Sequence, residues 1–594
     1  MKNKQLILKN INYYRRFYLL IAMATIIMVA VTTGSMMVGD SVRMTLVKRV
    51  TDRLGDTESV IFNSSGYMDA SLVDALANEA WGAIMTDGFV QINGQLIPVN
   101  VWGVDFLRNG TVVNDGDAVI NAQLAKESGI GANDDIVLRL AKNGLIPSGS
   151  LFVTQNYTTS LRLSCARVIV AADGGNLSLR NEQTIPLNVF VNRAMLNDVL
   201  ETGDKVNVIL SARRVGIEEL NQVWNVEIAG MKYIKKENCT EITTDRVFMQ
   251  DGLIDHLCNN NQSPNRLYSY LANSIRLGEQ SVPYSFVTAM DSYEGRLLAA
   301  DEILLSDYTA HRIGAKVGEL VSVSYFKMKG LKRLETDSIQ LRVSAIIPMQ
   351  DWVKDGTLSA DFPGLTDVER CTEWDSDLPI NMDLITNEDE QYWTNYRSTP
   401  KAIVPYKTVI NDWKTVFGSA TAVRVDNDEV DFSGIDAQMC GVQVVLPRKA
   451  GLYGATNGVD FAGLFLALGF FIILSALLLM YSPLSEMVWQ RKNECRLLQS
   501  LGWTDKRIRR LLYREACPII LVAVLIGVVA GVIYTYMIMF LLGNIWQGAT
   551  QTDGFGVSIN MLSVLIGIVV SLIMAMCVLW FTIRGVIKKN LVVC

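Results

Sequence analysis

Four stretches of this chain stay uncharged for as long as a helix needs to cross a bilayer, and no other feature limits its folding as much. Between Arg16 and Asp40 lie 23 uncharged residues, centred on Leu19-Leu20-Ile21 and Ile26-Ile27-Met28-Val29. A spanning helix needs about 20 apolar residues to cross roughly 30 Å of hydrocarbon. A second window runs from Phe461 to Ser485, a third from Ala516 to Thr552, and a fourth lies between Asp553 and Arg584. The segments between are strongly polar. The expected order is therefore a tail 1–16, a span 17–39, an extracytoplasmic domain 40–460 with a helical stalk 40–54, a span 461–485, a connector 486–516, a span 517–542, a short outer loop 543–556, a span 557–583 and a tail 584–594.

Lys and Arg near the span ends orient such a chain, because cytoplasmic loops carry the positive excess. Lys2, Lys4, Lys9, Arg15 and Arg16 precede the first span with no acidic residue among them. The connector holds eight basic and four acidic residues, and Arg584, Lys588 and Lys589 follow the last span. All three segments are expected in the cytoplasm of a bacterial inner-membrane protein, and four spans put both termini on one side. These segments carry a net +12 and the loop with Asp553 carries −1, which leaves −17 for residues 40–460 in a chain of net −6. So acidic an outer domain is a poor partner for nucleic acid. The basic start of the first span fits a signal peptide, but its apolar stretch exceeds the roughly 7–15 residues of a signal core. It reads as an anchor.

Half of the residues are hydrophobic and 19% are charged, against roughly 25% charged in soluble domains; a disordered or collagen-like chain is excluded. His256 and His311 are the only histidines, so no HExxH or His-cluster metal site is available. No GxSxG elbow, GxxxxGK[ST] loop or GxGxxG fingerprint occurs. The acidic run Asp426, Asp428, Glu429 and Asp431 has the character of a solvated loop. We assign no catalytic residue, cofactor or metal ligand. Cys165, Cys239, Cys258, Cys371 and Cys440 fall in the outer domain, an odd and widely spaced set that suits thiols better than a disulfide framework; a Cys239–Cys258 pair stays open.

The outer domain mixes two periodicities and reads as α+β with more than one lobe. Val38, Val42, Leu46, Val50 and Leu54 recur every four residues, a helical stripe that continues the first span up to Gly55. From Phe17 to Leu54 that helix would be about 57 Å long at ~1.5 Å per residue. Asp69–Trp81 opens on a capping residue and reads as a helix. Asn93-Gly94 between two alternating runs reads as a hairpin turn. Leu161–Val170, Val206–Leu210, Leu320–Phe326 and Gln340–Ile347 read as strands. Asp117–Leu140 aligns without gaps on Glu302–Tyr325 at an offset of 185, with Ala125/Ala310 and Gly129/Gly314 identical. Duplication and chance similarity of two strand–helix–strand units both explain this.

The connector carries the most information. Leu497, Leu498 and Leu501 share a helical face, Gly502 ends that helix, and Thr504 with Asp505 can open a second one whose apolar face is Ile508, Leu511 and Leu512. Gln490-Arg491-Lys492-Asn493-Glu494, Leu497-Leu498, Leu501-Gly502 and Arg509-Arg510-Leu511-Leu512-Tyr513-Arg514-Glu515-Ala516 resemble the connector of FtsX/MacB-like ABC transporter permeases, the LolC/MacB type. The run Phe465–Leu474 before it, and Leu-Ala…Gly…Gly-Asp elements in the outer domain, are similar too. The sequence departs from the family in having Cys495-Arg496 after Glu494, and Asn133 where a second Gly is usual.

The resemblance implies a non-catalytic permease subunit working with a separate cytoplasmic ABC ATPase. Leu497, Leu498 and Leu501 would fill a groove on that ATPase, Glu494 and Arg496 would make polar contacts, and Gly502 and Trp503 would flank them. It also implies a second permease copy or homologous half, and an extracytoplasmic protein, lipoprotein or lipid as substrate. The simpler alternative is an amphipathic helix at the lipid surface, with Arg507, Arg509 and Arg510 near anionic headgroups. The spans contain no Asp, Glu, Lys, Arg or His, which suits a mechanical role better than an ion path. Gly527 and Gly531 form a GxxxG that permits close helix packing. A ligand-sensing membrane receptor and a membrane-anchored extracytoplasmic enzyme are the rival readings.

Overall fold

The computed structural model describes residues 3–591 except 64–65, 77–78, 93, 142–157, 182–183, 237–238, 330–332, 357, 363–364, 375–377, 426–429 and 545–554. Asn93, Asp426, Asp428, Glu429, Asp553 and most of the expected loop 543–556 thus lie outside the described residues. Two compact units make up the chain: residues 1–54, 178–185 and 448–594 form one, and residues 55–177 and 186–447 the other.

The first unit is helical. Its helices are α1 (Asn3–Tyr13), α2 (Arg15–Leu54), α3 (Pro447–Asn457), α4 (Phe461–Gln490), α5 (Lys492–Ser500), α6 (Asp505–Asn544) and α7 (Met561–Leu591). Four of them, α2, α4, α6 and α7, have an apolar stretch long enough to cross a membrane. Helix α2 is the most buried of these and packs on the other three. Small residues let the backbones approach. A Cβ on Gly469 of α4 would lie 2.7 Å from Val31, one on Gly527 of α6 2.7 Å from the Val29 Cβ, and one on Gly567 of α7 2.7 Å from the Thr33 Cγ2. A Cβ on Gly531 would meet the Thr33 hydroxyl, so Thr33 is packed by glycines from two helices. Two buried hydroxyls in α2 are bonded to its neighbours, as a low-dielectric setting favours: Thr32 Oγ1 lies 2.5 Å from Ser571 Oγ, and Ser41 Oγ donates to the Ser558 carbonyl at 3.0 Å.

The second unit is a duplicated α/β fold. Its first half contains β1 (Ser59–Asn63), β2 (Ala80–Ile92), β3 (Gln95–Val104), β4 (Asp117–Asn121), β5 (Asp135–Ala141), β6 (Thr158–Ile169), β7 (Asn188–Asn192), β8 (Val208–Ser211) and β9 (Met231–Lys235). The second half repeats them as β10 (Thr240–Thr244), β11 (Asn265–Leu277), β12 (Gln280–Met290), β13 (Glu302–Ser306), β14 (Leu320–Lys329), β15 (Arg333–Ile347), β16 (Ala402–Pro405), β17 (Ala422–Val425) and β18 (Val442–Val445). The sheets run β18-β1-β8-β2-β3-β7-β4-β6-β5 and β9-β10-β17-β11-β12-β16-β13-β15-β14. Every strand of one has its counterpart nine places along in the other, except that β9 and β18 change places. Each half thus lends its last strand to the first strand of the other, β9 beside β10 and β18 beside β1. Ile61, Met231, Ile242, Val423 and Val442 share one buried cluster across this exchange.

Within each half six strands close into a ring, because β2 also pairs with β5 and β11 with β14. The length of β2 makes this possible. Its first residues, Ala80–Ala83, bond β8, and its later ones, Gly88–Gln91, bond β5 along the same edge. Closure removes the open strand edges that would otherwise invite further pairing. The duplication extends to details. A register shift falls between Ala118 and Val119 in β4 and between Ile303 and Leu304 in β13, again 185 residues apart. The helix after each of these strands ends on a left-handed glycine, Gly129 at φ +75° and Gly314 at +71°. Asn133 stands at φ +71° where the second half has Gly318 at +96°; Asn tolerates this region better than most side chains.

The hairpin is present, with Ile92 opposite Gln95 and Gly94 at φ +84°. The helix expected over Asp69–Trp81 is not: among the described residues only Ser71–Ala75 is helical, and β2 begins at Ala80. Nor is Asp69 its cap: the N-cap position is Ala70, which makes no side-chain capping bond, and Asp69 one residue earlier accepts from the Ser71 N–H at 2.9 Å. Residues 80–83 are instead drawn into the ladder with β8, and long-range pairing overrides the local pattern. All eight described cysteines are thiols. One lysine is fully enclosed: Lys401 Nζ lies 3.5 Å from Asp389 and 4.7 Å from the centre of the Tyr392 ring, and burial pulls its pKa down to about 8.

Candidate coupling site

The short connector helix α5 begins where α4 stops, at Arg491, whose backbone leaves helical geometry at φ −83°, ψ +8°. It ends at Gly502, in the left-handed region at φ +85°, with the Trp503 N–H donating to the Leu498 carbonyl at 3.0 Å. No separate second helix follows. The segment from Asp505 runs straight on as α6 for 40 residues, with Pro518 inside it. Ile508, Leu511 and Leu512 are buried on its inner side.

The two faces of α5 differ sharply. Cys495 is buried against the unit, whereas Leu497 is 63% exposed and Leu501 70%. Glu494, Arg496 and Gly502 are exposed as well, and Leu498 and Trp503 are half-buried. Leu497 on this nine-residue helix and Leu501 at its C-cap are held in the open, which packing within the described residues does not explain.

A buried ion pair holds α5 in place. Arg491 and Glu515 are enclosed, with side chains 3% and 0% exposed, and the guanidinium donates to both Glu515 oxygens, the longer bond being 3.3 Å. Glu515 accepts two further bonds, from Asn10 Nδ2 at 2.9 Å and from the Tyr18 hydroxyl at 3.1 Å. Its oxygens thus take four donors, which is what a buried carboxylate requires. Arg491 Nε reaches Glu494 at 3.0 Å, and the Tyr14 hydroxyl donates to Glu494 at 2.9 Å. Burial works against the Arg491 charge, but the bonds to Glu515 and Glu494 outweigh it and raise its pKa above the usual guanidinium value. Burial, and then the bond to Glu494, push Tyr14 up to about 12. This network ties α1, α2, α5 and α6 together at one level.

Among the residues expected to act, Glu494 belongs to this network while Arg496, Leu497, Leu501 and Gly502 stand outside it. Gly527 and Gly531 lie further along α6 against α2. Asn10, Tyr14, Tyr18, Arg491 and Glu515 were not expected as site residues. Arg491 and Glu515 lie within the connector motifs, but their partnership crosses 24 residues and two helices, so no helical spacing reveals it. Among the described residues no group of three or more His, Cys, Asp or Glu side chains could hold a metal ion.

Residues 466–591 match the FtsX-like permease C-terminal family. Over these residues the chain is similar to FtsX-like permeases. The matched region takes in α5, all the exposed connector residues, α6 and α7, but not α1, α2 or the turn between them, which supply Asn10, Tyr18 and Tyr14. A solved structure, the periplasmic region of MacB from Actinobacillus actinomycetemcomitans, is similar at 10% identity and TM-score 0.20, covering 30% of this chain and 86% of its own. No curated protein sequence matches the chain.

Proposed function

We propose that this chain is the permease subunit of an ABC-type complex in a bacterial inner membrane, and that a separate cytoplasmic ATPase docks on α5. The observation that carries this reading is the exposure of Leu497 and Leu501 on a helix clamped by a buried ion pair. Exposed apolar side chains on a rigid support are the anchors that a partner's groove buries. Arg496 and Glu494 supply polar contacts at the rim, and Leu498, Gly502 and Trp503 border the patch. FtsX-like permeases generally work with such an ATPase, and the basic residues around α1, α5 and α7 favour the cytoplasmic side for this end.

A push on α5 is carried through Arg491 and Glu515 to α6 and, by Tyr18 and Asn10, to α2 and α1. Helix α2, 40 residues long in all, ends at Leu54, immediately before the outer unit's first residue, Gly55. The chain thereby converts ATP turnover in its partner into motion of the duplicated outer unit, which acts on a lipoprotein, lipid, peptide or toxic compound. A second copy, or a homologous half, completes the complex.

The test is affinity purification of the full chain from native membranes in mild detergent, with identification of co-purifying proteins and an ATPase assay. Wild type brings down a nucleotide-binding subunit, and L497D/L501D does not, at unchanged thermal stability. Equal recovery with the double variant, or no such subunit with stably folded wild type, refutes docking on α5.

A further inference from the structure

On the flank of α6 and α7 lies an open groove of about 800 Å³ that the docking reading does not use. Sites for small molecules occupy roughly 300–1,000 Å³. One end of the groove is basic and the other apolar. Lys506, Arg509 and Arg510 come from the first turns of α6 and Arg584 from the late part of α7; the wall below them is Ile573, Met576 and Trp580. Among the described residues no acidic one lines it. The Arg584 guanidinium stands 4.9 Å over the Trp580 ring, and Arg509 Nε is braced on the Asp505 carbonyl at 3.3 Å. Tyr513 lines the groove with them, and burial raises its pKa against the opposing charges of Arg509 and Arg584. Ile573 is 57% exposed and Trp580 44%.

We propose that this groove is a binding site for one anionic phospholipid, its phosphate held by Arg509, Arg510 and Arg584 and its acyl chains laid along Ile573, Met576 and Trp580. Charge complementarity decides the occupant. Planar guanidinium groups match a phosphate's oxygens through paired hydrogen bonds. Basic pockets between membrane helices on the cytoplasmic side suit anionic headgroups, and an indole at the end of a span suits the interface. A zwitterionic lipid would bring a second positive charge into a groove that has no carboxylate to meet it. The bound lipid would brace the start of α6, ten residues from Glu515, against α7. This inference rests on the helices crossing a bilayer and not on ATPase docking; loss of either interaction leaves the other measurable.

The experiment is native mass spectrometry of the purified full chain in detergent, titrated with phosphatidylglycerol and, separately, with phosphatidylcholine. Wild type retains one phosphatidylglycerol preferentially. R509Q/R584Q weakens it by roughly tenfold or more, since each basic residue near a membrane surface contributes on the order of 1 kcal/mol. R15Q/R16Q removes the same charge from exposed sites on α2 outside the groove and leaves binding unchanged. R584K, which keeps the charge, retains most of the binding and guards against misfolding in the Gln variant. No preference for phosphatidylglycerol, or an equal loss in R15Q/R16Q, overturns the proposal. So does a crosslink between the exposed Cys577 thiols of two copies in lipid-filled nanodiscs, which would mean that a second chain closes the groove.

Discussion

Replacing Arg491 by Met removes the positive half of the buried pair and leaves Glu515, 0% exposed, without its counter-charge. Breaking such a pair from one side typically costs about 3–5 kcal/mol, because the remaining charge stays buried. Here the low end applies. Glu515 keeps two neutral donors, Asn10 and Tyr18, and the bond from Arg491 to Glu494 adds little because Glu494 is 46% exposed. About 3 kcal/mol off the docking of α5 raises its undocked population roughly a hundredfold. Cys495, buried on the inner side of α5, reports this directly. Its alkylation rate, read peptide by peptide by mass spectrometry on the full chain in detergent, is expected to rise by about that factor in R491M. Adding E515Q removes the stranded charge and leaves one carbonyl oxygen for the Asn10 amide, while the Tyr18 hydroxyl can turn to accept from the new amide N–H. R491M/E515Q is therefore expected to return to within about fivefold of wild type, a residue of roughly 1 kcal/mol. If R491M labels at the wild-type rate, or the double variant labels as fast as R491M, the pair does not clamp α5 and the path from connector to α2 loses its support.

Three other outcomes follow from the packing and titration. G527L in α6 forces a side chain where even a Cβ would lie 2.7 Å from Val29, and the thermal midpoint in detergent should drop by the equivalent of about 1–3 kcal/mol, with G527A milder. At Asn133, φ +71°, alanine should destabilise the outer unit by about 1 kcal/mol while glycine is neutral or better, as read from denaturant midpoints. Lys401 has a folded pKa of about 8, below its ordinary 10.5, so between those values the unfolded chain holds more protons than the folded one. Its contribution to stability is fully present above 10.5 and is lost as pH falls through 8, a difference of about 3 kcal/mol. Over that window wild type should therefore gain stability relative to K401M, and parallel pH profiles would contradict the assignment.

Membrane helices and the hairpin were legible because their signals are local. An uncharged window of span length can be counted, and Gly94 marks its turn through a single φ angle. The duplication was only half legible. Ala125/Ala310 and Gly129/Gly314 marked the aligned segment, but two identities cannot distinguish common descent from a shared motif. The strands that make the case, with register shifts 185 residues apart and a ring closed by β2 on β5 and β11 on β14, are defined by hydrogen bonds between distant segments. The helix read over Asp69–Trp81 failed for the same reason, since its last residues, Ala80 and Trp81, pair with Ser211 and Leu210.

In the connector, the apolar spacing alone put Leu497, Leu498 and Leu501 on one face, and the motif resemblance singled out the segment. It could not say which side of α5 is turned inward. That depends on Arg491 being enclosed by residues from α1, α2 and α6, which leaves Cys495 inside and Leu497 and Leu501 outside. By itself the sequence determined where the chain is greasy enough to cross a membrane and where it must turn, because transfer free energy and backbone preference belong to a short stretch of residues. Only the tertiary structure decided which strands pair, which charges are buried together and which leucines remain uncovered, because a hydrogen bond or an ion pair between residues hundreds apart has no local signature.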